Sequence, residues 1–456
     1  MVIRQCSTHI HTFATMSDQS ISSNEKFLKQ LSIAAFNEMQ EDFIDKTYQS
    51  DDVMLLAPTG SGKTLAYLIP LVNQLKEGNP NVQALIVVPS RELAIQIEEV
   101  FKSLKTNFKV STFYGGHSMK TEQNRLRDAP AVIIGTPGRL SDHLIRKSFD
   151  PKVIQMVVLD EFDKSLQFGF HEQLRVIFEN LSGKQKHLLT SATQLDRLPD
   201  FLPLKKLVTV NYLKNRKDSK LTLKLLRTSS VEKADRLMRL VAGFEQEACL
   251  VFCNHREAVN RISTLLTDNA FEHVVLHGGM EQLDREKNLI KFRSGTHQLM
   301  IATDLASRGL DIPEIKHVVH YQLPPKENAF IHRNGRTARM DADGQGYLVL
   351  AHDETLPDYL GEDLEEVELP EGFQAPLPSS LVCVYISAGK KDKISKGDVV
   401  GLLTKKGGLS SEDIGLITIM DQATYVAVHR EKVNKMLEKV DLEKLKKVKV
   451  RVALAN

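Results

Sequence analysis

The apolar run Val53-Met54-Leu55-Leu56 breaks at Ala57 into small residues, Pro58-Thr59-Gly60-Ser61-Gly62. After Lys63-Thr64 it resumes as Leu65-Ala66-Tyr67-Leu68-Ile69 with helical spacing. A short continuous apolar run fits a strand covered on both faces, and one that passes into a helix through a glycine loop belongs to an α/β layer structure. Gly60 and Gly62 let the backbone curl so that its N–H groups point inward, the layout that cradles a polyphosphate at a helix N-terminus. Lys63 would place a positive charge at the β/γ-phosphates, and Thr64 a hydroxyl at Mg²⁺. Ala57 occupies the position of the first glycine in the general G-x-x-x-x-G-K-[ST] pattern. An ordinary strand–turn–helix corner also favours small residues, but it has no need of Lys-Thr directly after the second glycine.

The same rhythm continues to about Asn211. Leu85–Val88, Val110–Phe113, Ala131–Ile134, Met156–Leu159 and His187–Leu189 read as strands between helical patterns such as Leu93, Ile97, Val100, Phe101 and Leu104. Continuous runs separated by helices predict a parallel sheet covered on both faces, with functional loops at the carboxyl ends of its strands. After the basic connector Lys214–Lys220 the rhythm resumes at Cys249–Phe252, Val274–Leu276, Leu299–Ala302, His317–His320 and Tyr347–Leu350. The expected fold class is therefore α/β: two tandem parallel-sheet domains, 24–211 and 225–351, joined by a linker at 212–224 and preceded by a disordered extension, 1–23.

Residues 353–371 carry nine acidic side chains and no Lys or Arg, and Pro376-Leu377-Pro378 follows. This composition reads as an acidic linker, 352–378, before a smaller unit, 379–456, that is rich in lysine. A lysine-rich surface is most often simply solvated. Attached to a pair of nucleotide-driven domains, it points to nucleic acid. The whole chain of 456 residues is almost balanced at a formal +2, so only this local distribution carries information.

Cys6, Cys249, Cys253 and Cys383 have no metal-ligand spacing, which fits a reduced, cytoplasmic setting. No run approaches the roughly 20 apolar residues that cross a bilayer, so no membrane association is expected. The first fifteen residues make a poor signal peptide, and Met16 is an alternative start.

Asp160-Glu161-Phe162-Asp163 follows the strand Met156–Leu159. One carboxylate at a strand end can hold Mg²⁺ while its neighbour orients or deprotonates the attacking water, and Asp160 and Glu161 are assigned those roles. An acidic cluster after a strand is by itself usually a helix N-terminus. The phosphate loop upstream makes it a Walker-B candidate. In the second domain, Arg333, Arg336 and Arg339 recur at a spacing of three. They read either as a basic helix face or as arginine fingers that meet a γ-phosphate when two domains close around it.

These motifs, in this order, resemble the DEAD-box RNA helicases of superfamily 2 over about residues 24–351. The loop Ala57–Thr64 has that family's own form. Pro89-Ser90-Arg91-Glu92-Leu93-Ala94, Gly115-Gly116, Thr136-Pro137-Gly138-Arg139, Ser191-Ala192-Thr193, the segment around Gln282 and Arg285, Thr303-Asp304 and Ser307–Asp311 are similar to its further motifs. The resemblance implies RecA-like domains, ATP and Mg²⁺ as cofactors, and RNA as partner. It makes Gln40 the reader of the adenine edge. Thr59, Gly60, Ser61, Gly62, Lys63 and Thr64 become the phosphate cradle, and Thr64 with Asp160 the Mg²⁺ holders, largely through water. Glu161 would act on the catalytic water, Asp311 would contact ribose, and Arg336 and Arg339 would be the fingers. Arg91, Gly116, Thr136, Arg139, Gln282, Arg285 and Thr303 would hold RNA backbone, and Ser191 and Thr193 would couple hydrolysis to strand separation.

Three positions depart from the family. Phe162 replaces an alanine. The glutamine motif has Ile33 and Phe36-Asn37 in place of its usual lead-in, which leaves Phe27 or Phe13 as the adenine-stacking ring. Asn334 and Ala338 stand where Ile and Gly are common. Residues 379–456 resemble the DbpA-type RNA-binding domain, a divergent RRM of α+β type that lacks the usual stacking aromatics. Tyr385 and Tyr425 are the only ring candidates in its strands, and Lys390 and Lys391 are taken as RNA contacts. In that subfamily the domain anchors the helicase to a structured hairpin of large-subunit ribosomal RNA.

The expectation is an ATP-dependent RNA helicase, monomeric and cytoplasmic, that opens short duplexes during ribosome assembly. Its rivals are an ATP-gated RNA clamp without unwinding activity, an RNA chaperone on messenger RNA, and a DNA helicase of the same superfamily.

Overall fold

The computed structural model describes residues 18–116, 118–181, 183–195, 197–213, 221–304, 315–337, 344–361, 364–369, 372 and 374–455. The chain divides into two compact units, 1–215 and 216–456.

The first unit is built on β1 (Asp52–Leu56), β2 (Ala84–Val87), β3 (Val110–Phe113), β4 (Val132–Gly135), β5 (Met156–Leu159), β6 (Lys186–Ser191) and β7 (Leu207–Asn211). They form one sheet in the order β3-β4-β2-β5-β6-β1-β7. Every pairing in it is parallel. Alternate residues of the same strand enter different cores. Val53, Leu55, Ile86, Ile134 and Val158 face one layer of helices. Met54, Leu56, Leu85, Val87, Ile133, Val157 and Leu159 face the other. That double covering is why these strands appear in the sequence as unbroken apolar runs. Residues 18–23, assigned from composition to a disordered extension, begin the helix Asp18–Leu31.

The second unit contains β8 (Leu221–Thr228), β9 (Cys249–Cys253), β10 (Val274–Leu276), β11 (Leu299–Thr303), β12 (His317–His320), β13 (Gly344–Ala351) and β14 (Glu365–Glu366). Their order is β10-β11-β9-β12-β13-β8-β14, again parallel throughout. Residues 221–224, read from composition as connector, open β8. The acidic stretch read as a linker supplies the edge strand β14. Its carboxylates meet basic residues of β8, Glu366 at 2.8 Å from Arg227 and Glu365 at 3.7 Å from Lys224. Leu356, Tyr359, Leu360 and Leu364 of the same stretch pack against Leu225, Phe330, Leu348 and Leu350.

The remainder of the second unit is a small antiparallel sheet of β15 (Leu381–Ile386), β16 (Ile414–Ile419), β17 (Thr424–His429) and β20 (Val452–Leu454), ordered β16-β17-β15-β20. The helices Lys396–Lys405 and Arg430–Val440 cover one face through Val384, Ile386, Val399, Leu403, Val426, Val433 and Met436. A short hairpin, β18 (Lys444–Leu445) and β19 (Val448–Lys449), precedes the last strand.

Candidate nucleotide and RNA sites

β1 ends at Leu56, and the chain turns through Gly60 (φ 81°) and Gly62 (φ 91°) before the helix Lys63–Gln74. At Gly62 a side chain is excluded twice. The positive φ favours glycine, and a Cβ would lie 2.4 Å from Nε2 of Gln40. The Gln40 amide donates to the Gly62 carbonyl at 3.1 Å and accepts from Asn37 N at 2.9 Å. Asn37 caps the helix Glu38–Gln49 by accepting from Gln40 N, and its own amide donates to the Ser61 carbonyl. The predicted adenine reader is thus tied directly to the phosphate loop. Phe27 is only 4% exposed and packs in the core, so no face of its ring is open to a base. Phe13 lies outside the described residues.

Lys63 Nζ donates to the carbonyls of Ala57 and Pro58, both at 2.7 Å. Burial pushes its pKa down to about 8, opposed by the negative charge of Asp160 and Glu161. An anionic phosphate at this loop would pull it back up. Ser61 Oγ donates to the Pro58 carbonyl at 2.8 Å, and Tyr67 lies about one turn beyond Thr64 on the same helix. Thr59 and Gly60 complete the same loop.

Asp160 directly follows β5 and is buried. It accepts from Tyr67 OH at 2.9 Å, from Glu161 N at 3.0 Å and from Thr190 Oγ1. Its pKa is raised by burial and then by the neighbouring Glu161. A carboxylate has about four lone-pair positions, so oxygen remains for a water bound to Mg²⁺, and the Asp160/Thr64 oxygen set is of the kind that ion takes. Glu161 adopts a left-handed backbone (φ 49°, ψ 48°), sparsely populated for a side chain of this size. The Glu161 carboxylate pairs with Lys164 at 2.7 Å. Phe162 is fully buried among Phe113, Leu140, Leu159 and Leu174, so its ring occupies core and leaves the carboxylates beside it in place. Asp163 accepts from Thr193 Oγ1 at 2.9 Å, and Ser191 Oγ bonds the Thr193 backbone on both sides. The structure therefore brings Ser191 and Thr193 onto the acidic motif through Asp163.

The RNA-backbone candidates of this unit follow the carboxyl ends of β2, β3 and β4. Arg91 lies over the Tyr114 ring at 5.4 Å, and its Nη1 comes within 2.7 Å of where a Cβ on Gly116 would stand. Thr136 begins the helix Pro137–Ile145, and Arg139 in its first turn pairs with Glu122 at 2.6 Å.

In the second unit, Gln282 and Arg285 open the helix Gln282–Arg293, and Gln282 donates to Glu286 at 2.6 Å. Thr303 ends β11 and is buried. Arg333 is a fully buried brace. It is bidentate to Asp304 at 2.6 and 2.7 Å and also bonds Gln322 O and Asn254 Oδ1. Of the three arginines it is thus the structural one. Arg336 is 4% exposed. Arg339 and Asp311 lie outside the described residues. Asn334 finds its reason in His320, whose Nε2 is 2.9 Å from Asn334 Oδ1 in a buried pair. Burial holds that imidazole neutral, with its pKa lowered to about 3.

In the small C-terminal domain, the sheet face away from its own helices packs on the second α/β domain. Cys383 and Tyr425 contact Ile290 of the Gln282–Arg293 helix, with Tyr385, Met420, Ala423 and Ala455 around them. Arg430 Nη2 donates to both carboxylate oxygens of Glu272, at 2.9 and 3.0 Å, and its Nε donates to the Ser379 carbonyl at 2.7 Å. Ser379 Oγ donates to the Gly295 carbonyl. Tyr425, a ring candidate for RNA, is therefore buried against protein. Lys390 and Lys391 are exposed in a short turn held by backbone bonds to Met420 and Asp421. Lys446 joins this turn to the hairpin, bonding Lys393 O at 2.6 Å and Asp398 at 2.8 Å. Lysines from two segments thereby share one edge.

Sequence reasoning missed Tyr67, Thr190 and Glu122. Tyr67 lies three residues after Thr64, so helical spacing could have placed it beside the metal site. Thr190 and Glu122 reach their partners only through the tertiary fold. Among the described residues no group of His, Cys, Asp and Glu has the arrangement of a metal cluster, and no helix is long and apolar enough to cross a membrane.

A phosphate loop after one strand, with a paired Asp-Glu at the end of a nearby strand, defines a P-loop nucleoside triphosphatase built on RecA-like sheets. Residues 37–200 match the DEAD/DEAH box helicase family, 232–341 the helicase conserved C-terminal domain and 383–454 the DbpA RNA binding domain. The chain is 30% identical to the ATP-dependent RNA helicase DbpA of Bacillus subtilis (strain 168), over 92% of this chain and 94% of that protein. Against the protein of the same name from Escherichia coli (strain K12) the identity is 31%, over 94% and 96%. The fold is similar to that of the DEAD-box helicase Mss116 bound to ssRNA and UDP-BeF, with a TM-score of 0.68, 24% identity, and coverage of 76% of this chain and 78% of that one. The chain belongs to the DEAD-box ATP-dependent RNA helicases, with a C-terminal domain of the DbpA RNA-binding type.

Proposed function

We propose that this helicase opens short RNA duplexes locally, by closing its two RecA-like domains around ATP and RNA, while the C-terminal domain stays anchored on a structured RNA. The observation that carries the reading is the set of hydrogen bonds that joins Tyr67, on the helix after the phosphate loop, to Asp160, Thr190 and Glu161, and joins Asp163 of the same acidic motif to Thr193. It links the phosphate loop to the segment expected to couple hydrolysis to strand separation. Thr64 and Asp160 would hold Mg²⁺, which supplies charge neutralisation at the phosphates. Lys63 binds the phosphates, Glu161 orients the attacking water and takes its proton, and Arg336 with Arg339 stabilises charge from the second domain. Gln40 reads adenine and Asp311 the ribose. Arg91, Gly116, Thr136, Arg139, Gln282, Arg285 and Thr303 hold RNA phosphates and sugars without reading sequence.

The anchor is the lysine edge at Lys390, Lys391, Lys393 and Lys446, since the aromatic sheet face is spent on docking. The anchored RNA is ribosomal, the process large-subunit assembly, the compartment cytoplasmic and the working form a monomer. The resemblance of residues 379–456 to a domain with that target supports the assignment. The clamp without unwinding activity drew its support from Phe162, and burial of that ring in the core removes the support.

The test is single-turnover unwinding of a short duplex by the wild type and by Glu161→Gln. ATP-dependent strand release by the wild type, with ATP and RNA binding but slow hydrolysis in the variant, is expected. Wild-type protein that hydrolyses ATP yet never releases a strand would replace the helicase reading with the clamp. Crosslinking the full chain to cellular RNA tests the target, and recovery of dispersed messenger RNA without a ribosomal peak would overturn it.

A further inference from the structure

Glu122 is 1% exposed, an unusual place for a carboxylate unless it is fully paired. It sits on the helix Met119–Leu126, and no motif of the sequence points to it. Oε1 accepts from Tyr114 N at 3.3 Å. Oε2 accepts from Arg139 Nε at 2.6 Å and lies 2.7 Å from Nε2 of His143. His143 is fully buried, its ring stacked on Phe113 with centroids 4.6 Å apart, and its Nδ1 has no hydrogen-bond partner. The imidazole proton therefore belongs on Nε2, donated to Glu122. The carboxylate thus meets three donors, one of them the Arg139 guanidinium.

We infer that Glu122 is a positioning residue for RNA binding: it orients the Arg139 guanidinium toward the RNA backbone and locks the Tyr114–Gly116 turn to the Thr136–Arg139 helix start. The inference rests on the reading of Arg139 as an RNA contact. The geometry explains why a buried acid is needed. A charge-assisted bond to Nε fixes the plane of the guanidinium, which a free arginine side chain would spread over several rotamers. The bond to Tyr114 N then sets the height of the same turn whose glycine, Gly116, lies against Arg91. One carboxylate so aligns three separate segments that would contact phosphates.

The experiment is a double-mutant cycle in the full chain with Glu122→Ala and Arg139→Ala, read as the KM for RNA in stimulated ATP hydrolysis and as the salt dependence of RNA binding. Glu122→Ala should raise the KM for RNA about tenfold, the effect of losing a charged hydrogen bond. The KM for ATP at saturating RNA should stay unchanged, and the slope of log affinity against log salt should fall by about one. In the Arg139→Ala background the Glu122 substitution should have a much smaller effect, limited to what the Tyr114 turn contributes. Glu122→Gln keeps the shape and an acceptor for Tyr114. It should fall between the two, and it carries the cycle if the alanine variant does not fold. Additive effects of the two substitutions, or an unchanged KM for RNA in both Glu122 variants while Arg139→Ala weakens binding, would overturn the inference. An unchanged KM in Arg139→Ala alone would instead remove the RNA role of Arg139.

Discussion

Lys63 occupies a site where its own charge is costly. Burial brings its pKa to about 8, and two loop carbonyls with the nearby carboxylates are what keep the ammonium there at all. The sign follows directly. The free enzyme loses this proton as pH rises through about 8, whereas a bound triphosphate favours the protonated form, so ATP affinity must fall on the alkaline side. The kcat/KM for ATP should show a basic limb near 8, the value of the free enzyme. In the Lys63→Arg variant that limb should be absent, because guanidinium stays charged. A profile flat to pH 9.5 in the wild type would show that Lys63 remains protonated without nucleotide. Phe162 gives the second residue-level prediction. Its fully buried ring sits where the family has alanine, so Phe162→Ala should destabilise the first unit by about 3–5 kcal/mol, measured by denaturant unfolding. ATP hydrolysis should persist in the folded fraction. A loss of activity at unchanged stability would assign the ring to catalysis.

The helix Gln282–Arg293 works at both of its ends. Gln282 and Arg285, the RNA-backbone candidates, lie in its first turn, and Ile290 in its last part holds the sheet of the C-terminal domain. Ile290→Asp should release that dock. Cys383 is 5% exposed at the contact and its thiol is pushed up to about 11 by burial, which makes it the reporter. In a Cys6→Ser background, with Cys249 and Cys253 deep in β9, Ile290→Asp should speed thiol labelling of Cys383 by about tenfold or more. Fast labelling of Cys383 in the parent protein would show the dock to be open already. This helix also marks the limit of what the residues reveal unaided. Strands such as Leu85–Val88 and Met156–Leu159 were legible because burial on both faces leaves no polar residue in them, and the glycine loop was legible because its geometry demands its composition. β14 was not, because Glu365 and Glu366 are stabilised by Lys224 and Arg227 across the sheet edge and look like a solvated linker in isolation. The buried face of Tyr425 and the Glu122–Arg139 pair were invisible for the same reason, since each depends on a partner distant in the chain.

At the level of the whole molecule, the proposed function divides one reaction between the two α/β units. On that proposal Lys63, Asp160 and Glu161 act from the first and Arg336 and Arg339 from the second. ATP hydrolysis would then wait for whatever brings the two sets together, and RNA bound by residues of both units is the proposed agent. Single-stranded or duplex DNA of the same sequence lacks the 2′-OH groups and should be a poor substitute. The most direct measurement is steady-state phosphate release with saturating ATP, without nucleic acid, with RNA and with DNA. Release should be low alone, stimulated about tenfold or more by RNA and little by DNA, and the stimulated rate should be lost in Arg336→Ala. Phosphate release that is as fast without RNA as with it would rule out RNA-driven closure.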